Sequence, residues 1–155
     1  MDEETPALSR RQLIVVGAGL ALSLAPGARA QSAPNMTVYR DAGCGCCLAW
    51  VEHARRAGFN ARVVNAPDMA AVKRRLGVPA RLASCHTALV AGLIVEGHVP
   101  LDRVARLLRN RPANVRGVAV PGMPVGSPGM EAPDGRRQPF DVMVFDAAGR
   151  SAVMR

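Results

Sequence analysis

The residues in this chain best equipped for chemistry are its four cysteines. Three are packed into Cys44-Gly45-Cys46-Cys47, and the fourth, Cys85, is followed directly by His86. Gly43 and Gly45 allow the backbone to turn tightly toward whatever the sulfurs hold, and the residues after Cys47 take up a helical pattern. The cluster is therefore expected at a helix N-terminus. There, unpaired N–H groups and the positive end of the helix dipole favour thiolate, the form that binds metal or attacks a disulfide. Two chemistries follow: soft-metal binding and thiol–disulfide exchange.

The spacing helps to separate them. Cys-x-Cys and Cys-Cys pairs are crowded for a single tetrahedral zinc, whose protein sites use pairs two or more residues apart. Bridging thiolates tolerate that crowding. Cu(I) prefers soft sulfur, accepts two or three such ligands and shares a thiolate between ions, so a dense cysteine cluster beside a histidine suits copper best, with several ions bridged by sulfur. Zinc on Cys44, Cys47, Cys85 and His86 is the lesser alternative. Exchange chemistry rests on the Cys-x-x-Cys frame from Cys44 to Cys47. A plain pair of structural staples suits the spacing less well, because the adjacent Cys46 and Cys47 can pair with each other only under strain.

Other candidates are weaker. Met123 and Met130 stand in a Pro/Gly-rich loop and offer thioether ligands, although methionine also fills gaps in packing. His53 reads as a solvated helix residue and His98 as a local cap or hydrogen-bonding group, with metal ligation its lesser alternative. Asp41 and Glu96 read as turn and surface groups. No carboxylate pair or nucleophile triad competes with the cysteines, and the glycines at 117, 122, 126 and 129 do not lead from a strand into a helix, so they are no nucleotide cradle.

The elements that must position these residues follow from periodicity and turn signals. Met36 to Arg40 alternates as a first strand, and Asp41-Ala42-Gly43 forms the loop into the cluster. Leu48, Val51 and Ala54 fall at helical spacing over 48–57, with Gly58 as the stop. A second strand over 59–64 leads to Asp68, an N-cap for a helix over 69–76 that ends at Gly77-Val78-Pro79. Strands over 87–91 and 93–96 turn at Gly92, and Pro100 and Asp102 open a helix to about Arg109. Residues 117–131 are too rich in Pro and Gly for regular structure and read as a long ordered loop, followed by a last strand over 140–145.

The order β, α, β, α, β, β, α, with cysteines at the first strand-to-helix junction, is an α/β, thioredoxin-like layout of the short glutaredoxin type. It is extended by the Pro/Gly-rich loop and a C-terminal strand. Right-handed crossovers place both helix starts at one end of the sheet, and the loop before the third strand should then bring Cys85 and His86 to the cluster. In thiol oxidoreductases that position facing the motif is normally a proline. Here Ser84-Cys85-His86-Thr87 occupies it, which favours holding metal over passing disulfides.

Composition bounds the partners. The chain has 155 residues, the size of one domain, and is 49% hydrophobic, enough for an ordinary core, with Val, Ala, Leu and Ile replacing scarce aromatic mass. A formal charge of +8 raises nucleic acid as a partner, but the arginines are scattered and no aromatic residues are interleaved to stack bases, so a solvated basic surface is the expectation. Residues 1–30 read as an export signal. An apolar run from Leu13 to Leu24, too short to span a membrane stably, precedes Ala28-Arg29-Ala30, and Ser9-Arg10-Arg11-Gln12-Leu13-Ile14 resembles a twin-arginine signal. Asp2, Glu3 and Glu4 are unusual before such a run. Residues 31–155 then form the mature, soluble, periplasmic domain.

Several motifs together carry a resemblance: Cys44-Gly45-Cys46-Cys47 with Trp50-Val51, Gly77-Val78-Pro79, Leu82-Ala83-Ser84-Cys85-His86-Thr87-Ala88, Glu96-Gly97-His98-Val99-Pro100, and Ala119 to Glu131. In this order they resemble the CopG-type family of exported thioredoxin-like proteins associated with bacterial copper resistance, from about Thr37 to Phe145. The resemblance implies copper held by the first-motif cysteines with Cys85 and His86, possible completion by a loop methionine, and cycling between Cu(I) and Cu(II). It also implies other periplasmic copper-handling proteins as partners. All four cysteines and the adjoining histidine are present. If the export reading is right, N-terminal sequencing of the secreted chain begins at Gln31; a chain that keeps its first thirty residues contradicts it.

Overall fold

The computed structural model describes residues 32–155; the expected export signal over residues 1–30 and its expected cleavage after Ala30 lie outside the described residues. These residues build one mixed α/β unit with a seven-stranded sheet and three helices. The strands are β1 (Asn35–Arg40), β2 (Asn60–Asn65), β3 (His86–Val90), β4 (Leu93–Glu96), β5 (Gly117–Ala119), β6 (Met143–Phe145) and β7 (Ser151–Val153), ordered β2-β1-β3-β4-β5-β6-β7. The helices are α1 (Gly45–Arg56), α2 (Met69–Leu76) and α3 (Leu101–Arg109). β1 runs parallel to β2 through the α1 crossover and antiparallel to β3, while β3 and β4 form a hairpin.

Local sequence explains most of these elements. On β1, Met36 and Val38 alternate into the core. On α1, Cys47, Trp50, Val51 and Ala54 make one buried stripe at helical spacing, and the Trp50 indole donates to the Val99 carbonyl at 2.9 Å. α2 begins where Asp68 accepts from the Ala71 N–H at 2.8 Å and ends at Gly77 in the left-handed region. β3 and β4 are covered on both faces, as their nearly unbroken burial shows.

Three expectations need correction. α1 starts at Gly45 rather than Leu48, so Cys46 and Cys47 belong to its first turn and Cys44 is its N-cap residue. Apolar spacing missed that turn because its outer positions are glycine and half-buried cysteine. The expected loop from 117 begins instead with β5, whose three residues pair with β4 on one side and β6 on the other. Such a short strand is made by its neighbours' backbones rather than by its own pattern. The expected last strand is trimmed to β6 and followed by β7, which with β2 forms the two edges of the sheet.

Glu96 also departs from its expected surface role, for it is fully buried on β4. Its carboxylate accepts from Lys73 Nζ on α2, from Thr87 Oγ1 at 2.6 Å on β3, and from the Ser84 N–H at 2.7 Å. Burial pushes this carboxyl up, and the Lys73 ammonium with the two hydrogen bonds pulls it back. Lys73 is the only lysine in the chain and is itself largely covered. Removing one member of such a pair strands the other, which costs far more than the pair's net worth. Lys73→Met should therefore lower the unfolding free energy by about 3 kcal/mol in urea titrations, with part of the loss recovered in Lys73→Met/Glu96→Gln. An effect below about 1 kcal/mol contradicts this account.

Candidate metal centre

The cluster sits where β1 hands over to α1. Arg40, buried at the end of β1, donates through Nη2 to the carbonyls of Ala42 at 2.6 Å and Cys44 at 3.0 Å, and through Nη1 to Asn65 Oδ1 at 3.1 Å. Asp41 closes the turn by accepting from the Gly43 N–H at 2.7 Å, and its carbonyl accepts from Cys44 N at 3.1 Å. The loop is thus held from below by a cation and from within by an Asx turn.

The sheet register brings the second half of the site to it. Arg40 lies opposite His86 in the β1–β3 pairing, so the chain leaving β1 and the chain entering β3 are neighbours. Cys44 and Cys47 form a disulfide with a Cα separation of 5.5 Å, while Cys46 and Cys85 are free. The Cys46 sulfur is 3.5 Å from that of Cys44 and 4.0 Å from that of Cys85, and all four sulfurs lie within 4.8 Å of one another. Two thiolates on one ion with metal–sulfur bonds of ~2.3 Å stand roughly 3.8 Å apart, which is close to the separation of Cys46 from Cys44 and Cys85, whereas Cys44 and Cys47 must part before they can ligate.

Cys85 faces a different environment on its other side. Its sulfur lies 3.3 Å from His86 Nδ1 and 3.0 Å from His98 Nε2. This position favours the lesser, ligand reading of His98 over the local one. In the β3–β4 hairpin Thr87 stands opposite Glu96, and the ladder continues as Gly97 N–H donates to the His86 carbonyl at 2.9 Å, so residue 98 falls opposite residue 85. Counting outward from the turn at Gly92 would have found this ligand candidate in the sequence. Gly97 makes the approach possible: its φ is +71°, and a Cβ there would lie 2.4 Å from the Ser84 side chain.

The protonation pattern follows from these contacts. His98 Nδ1 donates to the Pro128 carbonyl at 2.8 Å, which leaves the Nε2 lone pair facing the Cys85 thiol. Burial pushes His98 down despite that bond and the Glu131 carboxylate, and pushes His86 well below its ordinary range, helped by His98 and Lys73. Both rings are neutral at pH 7, the form that ligates a metal. His86 is wedged between Trp50 at 4.7 Å and His98 at 5.0 Å, and its Nε2 is buried with no hydrogen-bond partner. The Cys85 thiol is pushed up to about 12, chiefly by burial and then by the neighbouring Cys46. It therefore stays protonated without a metal and is a poor nucleophile.

The Pro/Gly loop closes over the site. Gly129 has a φ of +83°, and a Cβ there would lie 2.6 Å from Trp50 N and 3.1 Å from the Cys46 carbonyl, so the loop backbone rests on the first turns of α1. Glu131 accepts from the Gly129 N–H at 3.0 Å and pairs with His53 Nε2 at 2.8 Å, which makes His53 a clamp on the loop rather than a purely solvated residue. Met130 follows Gly129 and is half-buried; Met123 is 51% exposed.

A family profile described as "Protein of unknown function, DUF411" matches residues 82–130, the stretch holding Cys85, His86, His98 and the loop. No curated protein sequence matches the chain. Two solved structures are similar to it over most of its length. Copper resistance protein CopG in its Form 2 is 45% identical with a TM-score of 0.73, covering 78% of this chain and 95% of that one. Form 1 is also 45% identical with a TM-score of 0.72, covering 77% and 93%. With that identity over nearly the whole of those structures, the chain belongs to the CopG family.

Proposed function

We propose that this chain is a periplasmic copper-binding protein of copper resistance, which holds Cu(I) through the thiolates of Cys44, Cys46, Cys47 and Cys85. One observation carries the reading. Four sulfurs from two segments 39 residues apart gather within 4.8 Å of one another, two of them free thiols and two joined as a disulfide. Soft sulfur in that density suits Cu(I) and thiolate bridging between several ions, whereas the Cys-x-Cys and Cys-Cys spacings crowd a single tetrahedral zinc. The copper resistance proteins similar to this chain support the choice of metal. His86 supplies a nitrogen donor beside the sulfurs, and Met130 or Met123 of the loop completes the set. The nitrogen donors soften the preference for Cu(I) enough to permit cycling with Cu(II).

The frame that presents the site is read as thioredoxin-like. A parallel β1-α1-β2 crossover, a β3–β4 hairpin followed by α3, and the order β2-β1-β3-β4 support that reading. Residues 1–30 serve as a twin-arginine-like signal removed after Ala30, leaving 31–155 as the working domain. No described helix is long and apolar enough to cross a membrane. Copper ions, and other periplasmic proteins that deliver or accept them, are the partners, with no role for nucleic acid.

The Cys44–Cys47 disulfide favours a second reading, a thiol–disulfide oxidoreductase using these two residues, with Cys46 and Cys85 accessory. Under the copper reading an external dithiol must first reduce this bond by exchange, leaving Cys44 and Cys47 as thiols and itself as a disulfide. Cys85→Ser separates the two. The reduced wild-type chain should retain one or more copper ions, measured by elemental analysis with thiol titration, and Cys85→Ser should hold copper at least about tenfold more weakly. Undiminished retention in Cys85→Ser, with disulfide exchange through Cys44 and Cys47 intact, supports the oxidoreductase instead.

A further inference from the structure

The arginines that are scattered along the sequence are not scattered on the molecule. Arg106 on α3, Arg111 just after it, Arg116 before β5 and Arg150 before β7 line adjoining cavities at one end of the sheet. The larger cavity holds about 610 Å³ and its neighbour about 300 Å³, and Val115 lies in the wall of both. We infer that this face is a docking surface for the phosphate headgroups of an anionic lipid membrane. It uses none of the candidate metal ligands, so it is independent of the copper reading.

Charge, placement and an apolar contact point the same way. All four arginines are exposed, and the one acidic side chain in these walls is Asp146. Among the described residues Arg150 alone of the four is ion-paired, to Asp146 at 2.7 Å. Grouping like charges raises self-repulsion, which folding does not reward and an anionic partner does. The sheet fixes where the charges stand. Arg116 N–H donates to the Phe145 carbonyl at 2.8 Å and its carbonyl accepts from Ile94 N–H at 3.3 Å, while Arg111 Nη2 reaches the Gly92 turn, 3.9 Å from where a Cβ would lie. Beside them Val153 of the edge strand β7 is 49% exposed in the wall of the smaller cavity, next to Met154. Guanidiniums grip phosphate with a two-pronged fork while their stems lie along apolar surface, which is the mixture a lipid interface offers.

The make-up of the face favours lipid over nucleic acid. Among the described residues no aromatic side chain lines either cavity, so bases have no ring to stack on, whereas Val153 offers an aliphatic contact at the boundary of headgroup and acyl chain. Its place in the fold gives the contact a use. β3 runs from His86 to Val90 before the Gly92 turn, so about 15 Å of strand separates Cys85 from this face. A domain docked this way keeps its cysteine cluster at the end of the sheet away from the bilayer, open to soluble partners. The contact is peripheral and electrostatic, so salt weakens it.

The test is co-sedimentation of the full chain with vesicles of phosphatidylglycerol and phosphatidylcholine in equal parts, against pure phosphatidylcholine. The apolar run from Leu13 to Leu24 is common to every variant and cancels in the comparison. Each arginine near an anionic surface multiplies partitioning roughly fivefold, so Arg111→Glu/Arg116→Glu should lower binding to the anionic vesicles by at least about tenfold. Arg56→Glu/Arg62→Glu makes the same change of charge at exposed positions outside this face, and should lower it by less than about threefold. Arg106→Gln/Arg111→Gln should repeat the large loss, which keeps the inference falsifiable if the charge reversal does not fold. Equal losses at the two faces, no preference for the anionic vesicles, or binding of single-stranded RNA in place of vesicles overturns it. Cys85→Ser should bind vesicles as the wild type does, so failure of this inference and failure of the copper reading show in different variants.

Discussion

A carboxylate sealed from water must be surrounded by donors, and the donors Glu96 collects are the parts that place the site. Its oxygens take the Ser84 N–H, the Thr87 hydroxyl and the Lys73 ammonium, which ties the chain just before Cys85 to β3, β4 and α2 at one point. The Ser84 hydroxyl adds a bond to the Gly122 carbonyl, joining the same loop to the start of the Pro/Gly segment. Without that anchor the segment carrying Cys85 would be an ordinary loop. With it, a thiol, two histidines and a covering strap keep fixed relations to a helix that begins some forty residues earlier.

Arg40 plays the matching part on the other side. Its guanidinium grips the carbonyls of Ala42 and Cys44 from beneath, as Glu96 grips an N–H from the opposite strand pair. Two buried charges of opposite sign thus each hold one half of the site by its backbone. Holding by backbone leaves the side chains of Cys46 and Cys85 free.

Three of the four sulfurs, those of Cys44, Cys46 and Cys85, are half-buried, whereas Cys47, His86 and His98 are fully buried. Thiolates favour soft metals, and neutral imidazoles beside them widen the range of ions the set can take. The loop contributes chiefly through its backbone: the Pro128 carbonyl sets the His98 tautomer, and Gly129 lets the strap lie against α1. Its run of Pro and Gly is what such close approach requires.

Much of this was legible in the residues themselves. The cysteine spacing, the stripe of Val51 and Ala54, the Asp68 cap and the Gly77 stop are local signals, because helix periodicity, capping and thiol chemistry act over a few neighbours along the chain. The convergence of Cys85 on Cys46 was legible too, through the order of the elements. The role of Glu96 was not, since a lone glutamate at the end of a strand carries no mark of burial, and only the packing of α2 over the hairpin encloses it with Lys73. His98 was legible in part: counting outward from the Gly92 turn sets it opposite Cys85, but only the formed ladder shows that the register holds for six residues. β5 and β7 likewise exist because partner strands offer hydrogen bonds, not because three residues prefer to be extended. By itself the sequence determined which donors are present and which short elements carry them. Tertiary structure alone decided which charges are buried and which ring faces which sulfur, because both depend on contacts between segments remote in the chain.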